Sequence, residues 1–239
     1  MIRPSDKDLL HTWEKGQGQP LLYSNMLLLG LLYPEEDGDR LWDLPIGERD
    51  LALLHLRTLL FGEQMRSAAH CPHCGEHVEW EAKTTDLMFQ ELATLGQPKH
   101  FSLPVGATDT RFRLPTSRDI VHMANQNPEQ RDLAFIATCA VDDIDLTQLS
   151  QAQKVAINKE MAALNPQADI QLAMVCPACG HQWSLTFDIM TYLWDEVNEW
   201  GMKMIQEVAL LAKHFSWSET AILEMDRFRR DRYLETLLS

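Results

Sequence analysis

The stretch Cys71-Pro72-His73-Cys74-Gly75 returns in kind as Cys176-Pro177-Ala178-Cys179-Gly180, and the reading of these two pentapeptides decides the fold. Proline favours a tight turn, and glycine after the second cysteine accepts a positive φ, so each pentapeptide forms a knuckle that aims two sulfurs at one point. Two knuckles supply four sulfurs, the complement of a tetrahedral Zn2+ at ~2.3 Å per bond. Cys71, Cys74, Cys176 and Cys179 are therefore the expected metal ligands. A closed four-thiolate shell leaves no position to activate water, so the metal is expected to be structural and its binding energy to be folding energy. Cys74 and Cys176 are 102 positions apart, so such an ion staples two distant segments.

Working outward, the first knuckle is followed by Val78 and Trp80 in alternation and by a helix expected near Asp86-Leu87-Met88. The second is followed by Trp183, Leu185 and Phe187 in alternation and by a helix from Asp188-Ile189-Met190. Both read as knuckle, strand, helix. His70, His73, His77 and His181 crowd the knuckles, which leaves a Cys2His2 shell open beside the four-thiolate one. A redox dithiol at Cys71 and Cys74 is a further alternative, although such sites sit in a βαβ context that is not legible here. Cys139, within the apolar run Leu133 to Val141, reads as a buried small hydrophobe.

Helices account for most of the remainder. Asp6 to Lys15 and Leu21 to Tyr33 are separated by a Gly/Pro break, Pro34 and the acidic turn Glu35-Glu36-Asp37-Gly38-Asp39 follow, and a helix is expected over Glu48 to Met65. Lys99 to Pro115 reads as strand-loop-strand around Val105-Gly106-Ala107. Ser117, Pro128 and Ser150 each start a helix, the last ending near Asn165-Pro166. Ile189, Tyr192, Leu193, Val197, Trp200, Met204, Val208 and Leu211 lie near one stripe of a long helix from Asp188 to about His214. Ser218 and Asp226 cap two more. The expected fold is α+β and mostly helical: a zinc-ribbon-like module of two β knuckles joined by helices, with a C-terminal helical hairpin. The expected divisions are residues 1–98 with the first knuckle, an inserted 99–169, and 170–239 with the second knuckle, all one compact unit stapled by zinc.

The 239 residues carry 21 Lys plus Arg against 35 Asp plus Glu, a formal charge of −14, which repels a polyanion and makes nucleic acid a poor default partner. The longest apolar run, Met26 to Leu32, is far short of the ~20 residues that span a bilayer, and the first residues lack the basic-then-apolar order of a secretory signal. The expectation is a cytoplasmic protein or one incorporated in a particle, without a membrane partner. No hydrolase, metalloprotease, P-loop or dinucleotide motif is present. The acidic clusters Glu35-Glu36-Asp37 and Asp142-Asp143-Asp145 do not match a calcium loop. A non-enzyme is expected, with no catalytic residues.

Arg227, Arg229, Arg230 and Arg232 stand beside Phe228 and Tyr233, and the docking of an apolar side with arginines facing an acidic body or partner fits the overall charge. Three features together carry a likeness: Phe112-Arg113-Leu114-Pro115-Thr116; the second knuckle between Gln171-Leu172-Ala173 and Asp188-Ile189; and the ending Glu207-Val208 through Phe215-Ser216-Trp217-Ser218-Glu219, then Ile222, Leu223, Arg229, Arg230, Tyr233 and Leu234. This text resembles the T-even type baseplate family and the hub-assembly proteins of contractile phage tails and contractile injection systems. The resemblance implies a structural or chaperone-like assembly protein acting through contacts with baseplate, hub or other tail proteins. The candidate partner-binding residues are Trp200, Trp217, Phe228, Arg229, Arg230 and Tyr233. A zinc-ribbon nucleic-acid-binding or transcription accessory protein is the alternative.

Overall fold

The computed structural model describes residues 3–89, 99–105, 108–124, 126, 131–143, 145 and 149–238. In chain order its helices are α1 (Asp6–Gly16), α2 (Leu21–Leu32), α3 (Gly38–Trp42), α4 (Ile46–Phe61), α5 (Ser117–Ala124), α6 (Arg131–Cys139), α7 (Gln151–Leu164), α8 (Ile189–Phe215), α9 (Glu219–Leu223) and α10 (Arg227–Leu238). The strands are β1 (Gln64–His70), β2 (His77–Lys83), β3 (His100–Val105), β4 (Thr108–Arg113), β5 (Ile170–Val175) and β6 (Gln182–Phe187), paired as three antiparallel hairpins. The fold is thus α+β and mostly helical, and no helix among the described residues is long and apolar enough to cross a membrane.

The chain separates into two compact units, Met1–Glu35 with Ile189–Ser239, and Glu36–Asp188. The cuts fall at 35 and 188, whereas the segments read from the sequence meet at 98 and 169.

In the first unit, α8 packs on α1 and α2 through the stripe Ile189, Leu193, Val197, Gly201, Met204, Val208 and Leu211. Gly201 does not interrupt this helix. A Cβ there would lie 2.5 Å from the indole of Trp13, and a Cβ at Gly16 would lie 2.3 Å from the ring of Trp194. Each helix therefore supplies a glycine for the other's tryptophan, and the bare backbone is what lets the axes approach. Trp13 Nε1 donates to Asn198 Oδ1 at 2.9 Å, which satisfies the indole donor. Buried Asn25 of α2 donates to the carbonyls of Leu21 and Met190. Ser5 caps α1, accepting from the Asp8 amide at 3.1 Å, and Ser218 caps α9 from its position before Glu219. Asp226 Oδ1 accepts from the Phe228 amide at 2.9 Å at the start of α10.

In the second unit, α4 is buried nearly all round, with the charged run Glu48-Arg49-Asp50 inside. Arg49 Nε donates to Asp50 Oδ1 at 2.7 Å and Arg49 Nη1 to Ser117 Oγ at 3.1 Å. Burial outweighs the neighbouring guanidinium and pushes the Asp50 carboxyl up to about 6. Phe101, Val105, Phe112 and Leu114 of the β3–β4 region pack with Ile136 and Cys139 of α6 and Ile157 and Met161 of α7. Cys139 is fully buried, as a small hydrophobe would be. Arg113 grips Asp119 with two hydrogen bonds, 2.6 and 2.8 Å. Burial raises the Asp119 carboxyl, but Arg113 and the Thr116 amide outweigh it and hold it below the usual range.

The structure differs from the sequence reading in four places. The helix expected over Glu48 to Met65 stops at Phe61, because Gly62 takes φ 90° and its amide closes on the Thr58 carbonyl; Met65 lies on β1. A strand precedes each knuckle, where only the following strand was expected. The helix expected near Asp86 is a 3-10 turn, Thr84–Leu87. The acidic turn continues into α3, whose first amides are met by Asp37, which accepts from Asp39 N at 3.1 Å. Pro128 and the loop residues Gly106 and Ala107 lie outside the described residues.

Candidate metal centre

The β1–β2 hairpin closes on the pair His70↔His77, and the β5–β6 hairpin on Val175↔Gln182. Each knuckle is the loop between. In the first, the Cys71 amide donates to the Glu76 carbonyl at 2.8 Å and the Gly75 amide to the Cys71 carbonyl at 2.9 Å. In the second, Cys176 donates to His181 at 2.9 Å and Gly180 to Cys176 at 2.9 Å. Gly75 and Gly180 have φ of 78° and 71°, the left-handed conformation that glycine adopts without cost. Two sequences with little else in common thus build the same loop.

The loops bring all four sulfurs to one place. The ligand atoms of Cys71, Cys74, Cys176 and Cys179 lie within 4.8 Å of one another. Two contacts run from knuckle to knuckle: Cys71 Sγ to Cys179 Sγ at 3.8 Å and Cys74 Sγ to Cys176 Sγ at 3.6 Å. A tetrahedron with bonds of ~2.3 Å has edges of about 3.8 Å, so the spacing fits a four-thiolate metal shell. It is far too long for a disulfide at ~2.05 Å, and all five cysteines are free.

Cys71 and Cys176 are buried, Cys74 and Cys179 exposed. Beneath the buried pair lie Val78 and Met174, with Trp80, Leu172, Trp183 and Leu185 packed against them. The period-2 alternation of β2, β5 and β6 is what turns these aromatic and aliphatic residues to one face.

The thiols do not titrate alike. Burial raises Cys71, but the amides of Cys74 and His73 outweigh it and bring this thiol down to about 7. For Cys74 the Glu76 amide lowers the pKa, and its hydrogen bond to Cys179, burial and the other two sulfurs overcome this and drive it up to about 12. Cys179 is likewise raised, since burial and the sulfurs of Cys176 and Cys71 outweigh the lowering by the His181 amide and Cys74. Four clustered thiols resist ionising together unless a cation neutralises them.

The histidines sit around this group. His73 and His181 stack across the knuckles at 5.4 Å, His181 continues onto Trp183 at 6.2 Å, and His70 meets His77 edge-on at 5.5 Å. Among the described residues, the cluster of metal-ligating side chains contains cysteines and no histidine. The acidic clusters have partners of their own: Asp142 is held by Arg111, which pulls its carboxyl down to about 2, and Glu36 pairs with Arg40 at 2.6 Å.

The candidate contact residues at the C-terminal end have diverse settings. Trp217 stacks on Phe215 at 4.5 Å and meets Tyr233 edge-on at 4.8 Å. The Arg229 guanidinium lies 5.7 Å from the Tyr233 ring centroid. Phe228 is 67% exposed, with Arg232 over its ring at 4.9 Å. Arg230 is buried and paired with Asp6 at 2.6 Å and Glu207 at 3.4 Å, an arginine facing an acidic body within its own unit. Trp200 lines a groove between α8 and α10, and Met204, Glu207 and Leu210 line it too. No sequence signal pointed to that groove, because its residues come from helices joined only by the intervening α9 turn.

A comparison with curated proteins and one with solved structures returned no match. A family model described as T4 bacteriophage base plate protein matches residues 28–194, a span that takes in the whole of the second unit and both knuckles. Since that span is well over half of the chain, the protein belongs to the T4 bacteriophage base plate protein family.

Proposed function

We propose that the protein is a zinc-stapled, non-enzymatic component or assembly factor of a contractile-tail baseplate that acts by protein–protein contact. The observation that carries this reading is the convergence of four sulfurs, from knuckles 102 positions apart, to within 4.8 Å of one another in a chain of the baseplate family. Zn2+ bound by Cys71, Cys74, Cys176 and Cys179 would supply charge neutralisation and a covalent-like tie between the two hairpins. The four ligands close the shell, so the ion holds the second unit in shape and leaves recognition to its surfaces and to the C-terminal helices. Phe228 and Arg229 are exposed and offer contact. Trp217 and Tyr233 pack on one another and on Phe215, tying α10 to the end of α8.

Elemental analysis of freshly purified full-length protein tests the metal: about one zinc per chain is expected, and its absence overturns the staple. Affinity purification from phage-producing cells with crosslinking mass spectrometry tests the partner. Baseplate, hub or other tail proteins are expected, and a finished particle that contains the chain marks it as a subunit, one that lacks it as an assembly factor. Salt-dependent association with DNA or RNA in place of tail proteins would replace this reading by the nucleic-acid one.

A further inference from the structure

The four knuckle sulfurs differ in their access to solvent. Cys74 and Cys179 are exposed, whereas Cys71 and Cys176 are buried, so each knuckle offers one sulfur to a small solute and shields the other. The two contacts between knuckles each join one of either kind: exposed Cys74 lies 3.6 Å from buried Cys176, and exposed Cys179 lies 3.8 Å from buried Cys71. A disulfide bond is ~2.05 Å long, so closing the shorter gap takes a movement of about 1.6 Å. Cys139 stands apart from this chemistry. It is fully buried in the separate cluster around Phe112 and Ile136.

A peroxide oxidises such a pair in two steps. The exposed thiolate attacks one peroxide oxygen, the O–O bond breaks, hydroxide leaves and a sulfenic acid remains. The neighbouring thiolate then attacks that sulfur, which forms the S–S bond and expels a second hydroxide. Four thiolates and two peroxides thus become two disulfides and four hydroxides, and an ion held by those thiolates loses every ligand. A bond from knuckle to knuckle ties the same two hairpins that the ion tied, over the same buried Val78 and Met174. We infer that Cys74 and Cys179 are oxidation sites through which a peroxide converts the zinc staple into two cross-knuckle disulfides, Cys74–Cys176 and Cys71–Cys179, releasing the ion and keeping the hairpins together. Zinc then serves in the reducing compartment where the chain is made, and the disulfides serve in a particle that has left it. This rests on the reading of the four cysteines as a zinc staple in a tail protein.

The test treats full-length protein, as purified, with stoichiometric hydrogen peroxide and digests it with trypsin without reduction. Loss of about one zinc per chain to a chromogenic chelator and loss of four of the five free thiols are expected. Tryptic peptide 67–83 holds the first knuckle and peptide 160–203 the second, and the two should be recovered joined, with fragmentation assigning Cys74 to Cys176 and Cys71 to Cys179. Separate peptides carrying disulfides within each knuckle, the opposite cross-pairing, or sulfinic acids overturn the inference. Hydrogen exchange then compares two zinc-free forms. The oxidised one is expected to keep the protection of β1, β2, β5 and β6 that the reduced, chelated one loses, and equal loss in both overturns the retained tie. The two readings fail separately. If fresh protein holds no zinc, the staple falls and the peptide map still decides the disulfide pairing. If zinc is bound and peroxide leaves the thiols intact, this inference falls alone.

Discussion

The two units of this protein solve the same problem by different means. The unit made of α1, α2, α8, α9 and α10 is held by interlocked helices, where Gly201 receives Trp13 and Gly16 receives Trp194. At the knuckles of the other unit the buried apolar cluster is small, Cys71, Val78, Met174 and Cys176. Two-stranded hairpins with so small a core are marginal in water, whereas a 27-residue helix buried along one face is not. The lesson is that four sulfurs stand where a larger core would otherwise be needed, and the helical unit has no such dependence.

The most forceful way to break this contrast is to remove the zinc proposed for the four sulfurs. Chelation, or Cys176→Ser, is expected to forfeit binding energy of order 10 kcal/mol. Hydrogen exchange should show β1, β2, β5 and β6 losing protection while the α1–α8 contact retains it. Equal loss in both units would end the contrast.

Next in size is the buried ion pair of the second unit. Asp119→Ala leaves Arg113 half-buried without its carboxylate and is expected to cost about 3 kcal/mol in denaturant unfolding. The helical unit is probed by Gly201→Val, which drives a side chain into the Trp13 indole and is expected to cost about 2–3 kcal/mol without altering zinc content. A tolerated Gly201→Val would show that the close approach of α1 and α8 is not needed.

Two carboxylates of the second unit sharpen the comparison through pH, with opposite signs. Asp119 has a depressed pKa, so its contribution is present above the ordinary carboxylate range near 3.8 and is lost as pH falls through the folded-state value. Asp50 is raised to about 6 against 3.8, so its contribution is present below about 3.8 and is lost as pH rises through 6. In unfolding measured from pH 4 to 8, Asp50→Asn should therefore flatten a loss of stability that runs from about 4 and is complete just above 6. An unchanged profile would remove Asp50 as its source. The smallest effect expected is from Trp13→Phe, which gives up the Asn198 hydrogen bond for about 1 kcal/mol, read as a modest shift of the thermal midpoint.

Much of this was legible because its physics is local. Ser150 and Ser218 each cap the helix that follows, and the stripe on α8 is the one its spacing announced except that Tyr192 and Trp200 are only half-buried. The knuckles were legible for the same reason, since proline, glycine and two cysteines within five residues already specify the loop. The strand β1 was not. Gln64 to His70 carries one buried residue, Met65, in the burial pattern of the strand, and without an apolar alternation nothing separates it from the preceding helix except Gly62. The buried state of Arg230 was equally invisible, because it depends on Asp6, 224 positions away.

The amino-acid sequence by itself determined the candidate ligand types, their spacing within each knuckle, several of the caps and most of the buried face of the long helix, since each depends on residues within one or two turns. Only the tertiary structure decided that the two knuckles face one another, that glycines 16 and 201 each seat a tryptophan, and that Arg230 lies buried against Asp6 and Glu207. Those depend on distances between segments far apart in the chain, and such distances are set by the packing of the whole unit, which no local pattern encodes.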